Sequence, residues 1–353
     1  MKLTPAPWLT LRLRQLPLSL RIDRRTPAVV LGLTILAGVA LIVNVSQGEY
    51  RVPPLEVVKT ILGLSADPDY TFVVNTLRLP RALVALLVGM GLAVAGAIMQ
   101  GLTRNPLAAP EIVGINSGAS LVAVALIVLV PTAPIFSLPV AAFMGGLGAA
   151  IAIYLLAWNQ GSAPIRLILV GVGLTAFTGS LTSLMITFGN IYNVSQALVW
   201  LTGSVYGRSW EHLWPLLIPL MVFLPLSLLL ARDLDTLNLG DDLALGLGNR
   251  VEQKRSLLLL CTVALAGSAV AIAGNVGFVG LMAPHLARHW VGASHSGLMP
   301  TAALVGACLV ELADVLGRLL FAPIELPCGV ITAAIGAPYF LWLLYRDGQR
   351  ATQ

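Results

Sequence analysis

The chain has 353 residues, 57% hydrophobic and only 10% charged, with 21 Lys and Arg against 16 Asp and Glu and a mean hydropathy of +0.88. A water-soluble chain carries roughly 25% charged residues, so a soluble domain is excluded and an all-α polytopic membrane protein is expected. The net charge of +5 and pI near 9.4 suit the basic loops of such a protein, with anionic lipid as the partner of the basic N-terminus and no reason to invoke nucleic acid.

Residues 1–27 form a basic cytoplasmic N-terminal extension ahead of a long apolar run. No small-residue cleavage site follows that run, so it reads as a signal anchor. Apolar runs then predict ten spans, near 28–47, 79–101, 112–130, 137–158, 165–188, 212–231, 255–273, 277–291, 299–320 and 327–345, each judged against the roughly 20 residues that cross a bilayer. Fifteen of the 21 Lys and Arg fall on the N-terminal side of this arrangement, which places both termini in the cytoplasm. The permease domain is 28–346 and the cytoplasmic tail 347–353.

Between the first two spans, PPLEVVKTILG (53–63) has Pro at a helix start and a short apolar face, and reads as a helix on the outer surface. A second outer helix is expected over 193–206, with Asn193 and Ser195 as caps and Gly203 or Gly207 as the stop. The longest cytoplasmic connection, 233–252, contains DDLALGLG: Asp241 starts a small helix whose compact apolar face, Leu243, Ala244 and Leu247, is of the kind that docks a partner.

GNVGFVGLMAPHLAR (274–288) is apolar yet cut by Gly274, Asn275, Gly277, Gly280 and Pro284. Fifteen helical residues rise about 22 Å against a hydrocarbon core of roughly 30 Å. The segment is therefore a broken or shortened helix, and either lines a pathway or uses its glycines for close helix packing. Cys261, Cys308 and Cys328 have no paired spacing and read as buried small hydrophobes; the four histidines offer no metal set.

RLPR, QGLTRNPLAAPEIVG, LGDDLALGLG, GNVGFVGLMAPHLAR and ELPCGVITAAIGAP, in that order, resemble the membrane-subunit family of ABC importers for iron(III)-siderophore complexes and cobalamin. VWLTGSVYGRSW (199–210) is most similar to the ferric-dicitrate and siderophore branch. The resemblance covers nearly the whole chain from residue 28 and implies the ten-helix type II importer permease fold in a bacterial inner membrane. It implies a second permease subunit, with a heterodimer favoured over a homodimer, two cytoplasmic ABC ATPases, and an external or periplasmic substrate-binding protein. The implied cargo is an iron(III)-siderophore or ferric citrate, with cobalamin or haem as alternatives.

The resemblance assigns Arg78, Arg81 and Arg318 to docking of the binding protein; the residues alone also allow helix-end membrane anchors. Asp314, four residues before Arg318, and Glu311 on the same face would hold that arginine. Gly240, Asp241, Ala244 and Gly248 would couple to the ATPase, and Gly274, Asn275, Gly277, Gly280 and Pro284 would belong to the pathway or its gate. No lysine follows a glycine, so the phosphate-loop motif is absent. The chain is then no enzyme and holds no catalytic residue, metal or cofactor, ATP and magnesium residing on the partner. An ion-coupled secondary transporter would need acids in mid-membrane, and between 79 and 300 the spans are nearly free of them, with Glu111 at an edge.

Overall fold

The computed structural model describes residues 8–12, 19–65, 67–134, 136–158 and 164–351. The N-terminal region, read above only as a basic extension, contains a hairpin: β1 (Trp8–Arg12) pairs antiparallel with β2 (Ser19–Asp23), Trp8 opposite Asp23 and Arg12 opposite Ser19. Strand β2 lies against the helix of the ninth predicted span.

Helix α1 (Thr26–Ser46) is the first span. The short helix expected over 53–63 follows as α2 (Pro54–Ile61), which begins on Pro54. The second span is longer than its apolar core, because α3 (Pro68–Phe72) and a π-helical turn (Val73–Arg78) lead without interruption into α4 (Leu79–Thr103). A 3-10 turn (Pro110–Val113) precedes α5 (Ile115–Leu129), and α6 (Ser137–Ala157) and α7 (Pro164–Phe188) follow. The second surface helix is α8 (Ile191–Thr202), capped by the Asn190 side chain rather than by Asn193 or Ser195 and closed at Gly203. Next come α9 (Trp210–Leu229), the short α10 (Ala231–Asn238) and α11 (Asp241–Gly246), then α12 (Val251–Ala273), α13 (Val279–Val291), α14 (His295–Leu319) and α15 (Cys328–Ala351). Helix α15 continues through residues expected to form a separate tail.

Among the described residues eight helices are long and apolar enough to cross a membrane. The other two expected spans are present as shorter helices. One is α5, extended toward the N-terminus by its 3-10 turn; the other is α13, where 274–278 stay non-helical and leave 13 residues of helix.

Three helices make the centre of the fold. The apolar stretches of α4, α12 and α14 are 78%, 83% and 78% buried, whereas those of α7 and α9 are only 22% buried. Apolar side chains gain little by leaving lipid, so close backbone approach must supply the contact energy. Two glycine pairs provide it: Gly89 of α4 lies against the backbone of Gly306 in α14, and Gly96 of α4 against Gly280 in α13. A methyl group at any of the four would clash with backbone or Pro110 atoms. Gly96→Leu and Gly306→Leu are therefore expected to cost at least the roughly 1–3 kcal/mol typical of overpacked cores. Thermal unfolding in detergent checks this, with Gly148→Leu, where nothing lies within 4 Å, expected to behave as wild type.

Candidate functional site

At the predicted outer end, the three arginines singled out above come together around one cleft of about 600 Å³. Its lining includes Glu49, Arg51, Arg78, Arg81, Arg318 and Glu325. Each of the three is already engaged. Arg78 donates to the carbonyl oxygens of Val45 (3.0 Å), Ser46 (3.2 Å) and Tyr50 (2.6 Å), closing the C-terminal end of α1. Arg81 donates through Nε (3.2 Å) and Nη2 (2.7 Å) to one oxygen of Asp314 and through Nη1 to Glu325 at 2.9 Å, and its guanidinium lies 5.4 Å from the Tyr206 ring centre. Arg318 donates to the Asn44 carbonyl (2.8 Å), the Asn44 side-chain oxygen (2.5 Å) and the Gln47 carbonyl (3.2 Å).

The expected i,i+4 pair of Asp314 with Arg318 is present, though it is not the acid's nearest contact. Asp314 is 3.6 Å from Arg318 but 2.7 Å from Arg81, so it chiefly fixes the arginine of α4, with its other oxygen accepting from Asn44 at 3.2 Å. Glu311 forms no ion pair among the described residues. It is fully buried, and neither carboxylate oxygen has a hydrogen-bond partner there; only its backbone carbonyl accepts from Asn44. Helical side chains tilt toward the N-terminus of their helix, which carries Glu311 away from Arg318, two turns further on.

The connection between α9 and α12 forms a compact unit at the predicted inner end. Asp241 accepts from the buried Arg255 of α12, both its oxygens lying 2.8 Å from one nitrogen, and lies 3.4 Å from Arg104 at the end of α4. Gly240 (φ 118°) and Gly248 (φ 79°) take backbone conformations open to glycine, which folds α11 back onto α12. Ala244 therefore points inward, fully buried. Its expected place on an exposed face is corrected: the exposed apolar residues here are Leu239, Leu243, Leu245 and Leu247, each about 60% exposed or more.

The broken segment is knitted into its neighbours. Gly274 (φ 73°) lies against the Trp200 carbonyl, Gly280 against α4 and Pro110, and Pro284 is buried within α13. Asn275 accepts at 2.6 Å from Asn116 of α5, whose amide also donates to Glu111 at 3.3 Å. Of the segment's three glycines, only Gly277 could take a methyl group that meets nothing within 4 Å. Close packing thus accounts for Gly274, Gly280 and Pro284, leaving Asn275 and Gly277 as the partly exposed members. Sequence reasoning missed Asn44, Asn116, Glu325, Asp235 and His295. Of these, Asn44 and Asn116 carry a usable signal, being amides inside apolar runs.

A cleft rich in arginine at one end, a leucine face at the other and a glycine-packed helical core between them call for comparison with known carriers. The FecCD transport family matches residues 35–346. The chain belongs to that family. It is 44% identical over 324 residues to the probable siderophore transport system permease protein YfhA of Bacillus subtilis, covering 90% of this chain and 93% of the relative. It is likewise 44% identical over 321 residues to the Fe(3+) dicitrate transport system permease protein FecD of Escherichia coli, covering 90% and 98%. A solved metal-chelate type ABC transporter in an inward-facing conformation superposes with a TM-score of 0.82 at 32% identity, covering 91% of this chain and 99% of that one. As a FecCD-family protein the chain is a bacterial inner-membrane permease subunit of an ABC importer, and ATP hydrolysis belongs to separate ATPase subunits.

Proposed function

We propose that this FecCD-family permease carries an iron(III) chelate, a siderophore complex or ferric citrate, delivered by a substrate-binding protein at the outer cleft. The names of the relatives support an iron-chelate cargo. Ten spans with both termini cytoplasmic, pairing with a related rather than identical permease, and a gate around Asn275 and Gly277 complete the reading. The observation that carries the docking assignment is the convergence of four arginines on one cleft whose lining holds only two carboxylates.

Within that cleft Arg78 is the arginine that meets the partner, because it is half-exposed and, among the described residues, bound only to carbonyl oxygens. Arg81 and Arg318, about nine-tenths buried, form the positive floor. A carboxylate on Arg78 would add a charge-assisted bond where neutral ones exist now, and at an exposed rim it contributes about 0.2–1 kcal/mol. The main effect should fall on the association rate. Arg78→Glu is expected to slow binding-protein association more than Arg78→Ala does, and the difference should shrink in high salt. Stopped-flow association with reconstituted complexes at two salt concentrations checks this, and equal rates for wild type and Arg78→Glu at low salt would remove Arg78 from the interface.

A further inference from the structure

Helix α14 lacks a cap of its own, since Ser294 stands at the N-cap position without a capping bond to the helix. The first N–H groups of any helix need acceptors, and here one comes from another element. The Asp235 carboxylate of α10 accepts from the His295 backbone N–H at 3.0 Å and from His295 Nδ1–H at 2.5 Å, both on one oxygen. Its other oxygen accepts from the Ser294 hydroxyl at 3.1 Å. Negative charge at a helix N-terminus is favourable, and bonds to a carboxylate are the stronger kind. His295 is fully buried, and its far nitrogen sits so near α4 that a methyl on Gly101 would lie 2.8 Å from it.

One carboxylate thus joins α10 to the start of α14, and the histidine it holds abuts the end of α4. The apolar residues of α10, Leu234 and Leu237, are buried in the core, but apolar contact is non-directional and would let α10 slide. The hydrogen bonds are directional. Helix α14 runs roughly 35 Å from this clamp to Arg318 at the outer cleft, and α10 leads directly into the leucine face of α11.

We propose that Asp235 is a positioning residue that ties the ATPase-facing α10–α11 unit to α14, so that movement imposed by the ATPase reaches the outer cleft as a displacement of α14. This rests on the reading of α11 as the ATPase surface and of the outer cleft as the docking site. The test uses the complete reconstituted importer with wild-type, Asp235→Ala and Asp235→Asn permease, measuring assembly, basal ATPase rate and the rate with saturating ligand-loaded binding protein.

For Asp235→Ala, assembly and basal rate should stay within about twofold, while the ratio of stimulated to basal rate should fall at least about fivefold, the lower end of typical coupling between sites. Asp235→Asn keeps a carbonyl acceptor and should fall less; it also serves should the alanine variant fail to fold. Leu258→Ala in α12, a fully buried site outside the hydrogen-bonded clamp, supplies a control destabilised by packing alone. A ratio unchanged in both Asp235 variants, or an equal fall in Leu258→Ala, overturns the inference. An importer whose wild-type ATPase ignores the binding protein would instead sink the docking reading, and this inference with it.

Discussion

Arg81→Ala is expected to destabilise the protein by roughly 3–5 kcal/mol, the cost of leaving a buried ion-pair partner uncompensated. Asp314 is 3% exposed and relies on Arg81 for its closest contacts; Asn44 at 3.2 Å and Arg318 at 3.6 Å remain on its other oxygen and compensate its charge only in part. Replacing both partners, Arg81→Met with Asp314→Leu, should recover most of that loss, because a buried pair exchanged for apolar residues of similar size is often neutral. The double variant nevertheless lacks the share of Arg81 in the positive floor of the cleft. Stability near wild type together with weakened binding-protein stimulation is therefore its expected signature, read by thermal unfolding and ATPase assay. A double variant as unstable as Arg81→Ala would show that the pair matters through packing rather than charge.

Leu243→Asp and Leu247→Asp should each weaken ATPase association by about 10–100-fold, since burying a leucine contributes roughly 1.5–3 kcal/mol and each 1.4 kcal/mol is a factor of ten. Both side chains are more than 60% exposed and make the surface of α11, so the permease itself should fold and insert. Ala244→Asp should behave differently. Ala244 is completely enclosed, and an unpaired buried carboxylate there would unfold the α10–α11 unit, removing association and lowering thermal stability together. Co-purification of the ATPase with each variant, set beside its unfolding temperature, separates the two cases. Should Leu243→Asp and Leu247→Asp both co-purify normally, α11 is not the coupling surface.

The elements were legible because apolar runs and punctuation by Gly and Pro are local. The short surface helix beginning at Pro54, the break after Ala273 and the small helix beginning at Asp241 all stand close to where the residues place them. What was hidden depends on partners far away in the chain. Arg81 finds Asp314 across 233 residues and Asn44 finds it across 270, so no spacing rule discloses that Asp314 serves α4 before its own helix neighbour Arg318. The inward turn of Ala244 depends on how Arg255 and two glycines fold six residues of helix, too few for a periodicity to declare its face. The hairpin is readable in principle, because LTLR and SLRID alternate apolar and polar residues at the period of a strand, although the basic charge of the segment points to an extension.

The buried Glu311 and the half-buried Glu111 are the kind of groups a proton-coupled carrier would need, so the energy source is the feature to measure. Purified permease with its partner permease, ATPase and binding protein, sealed into liposomes with ATP inside, should accumulate an iron(III) chelate supplied outside only when ATP and the binding protein are both present, and should do so with no proton gradient. Accumulation driven by an imposed proton gradient in the absence of ATP would contradict the account.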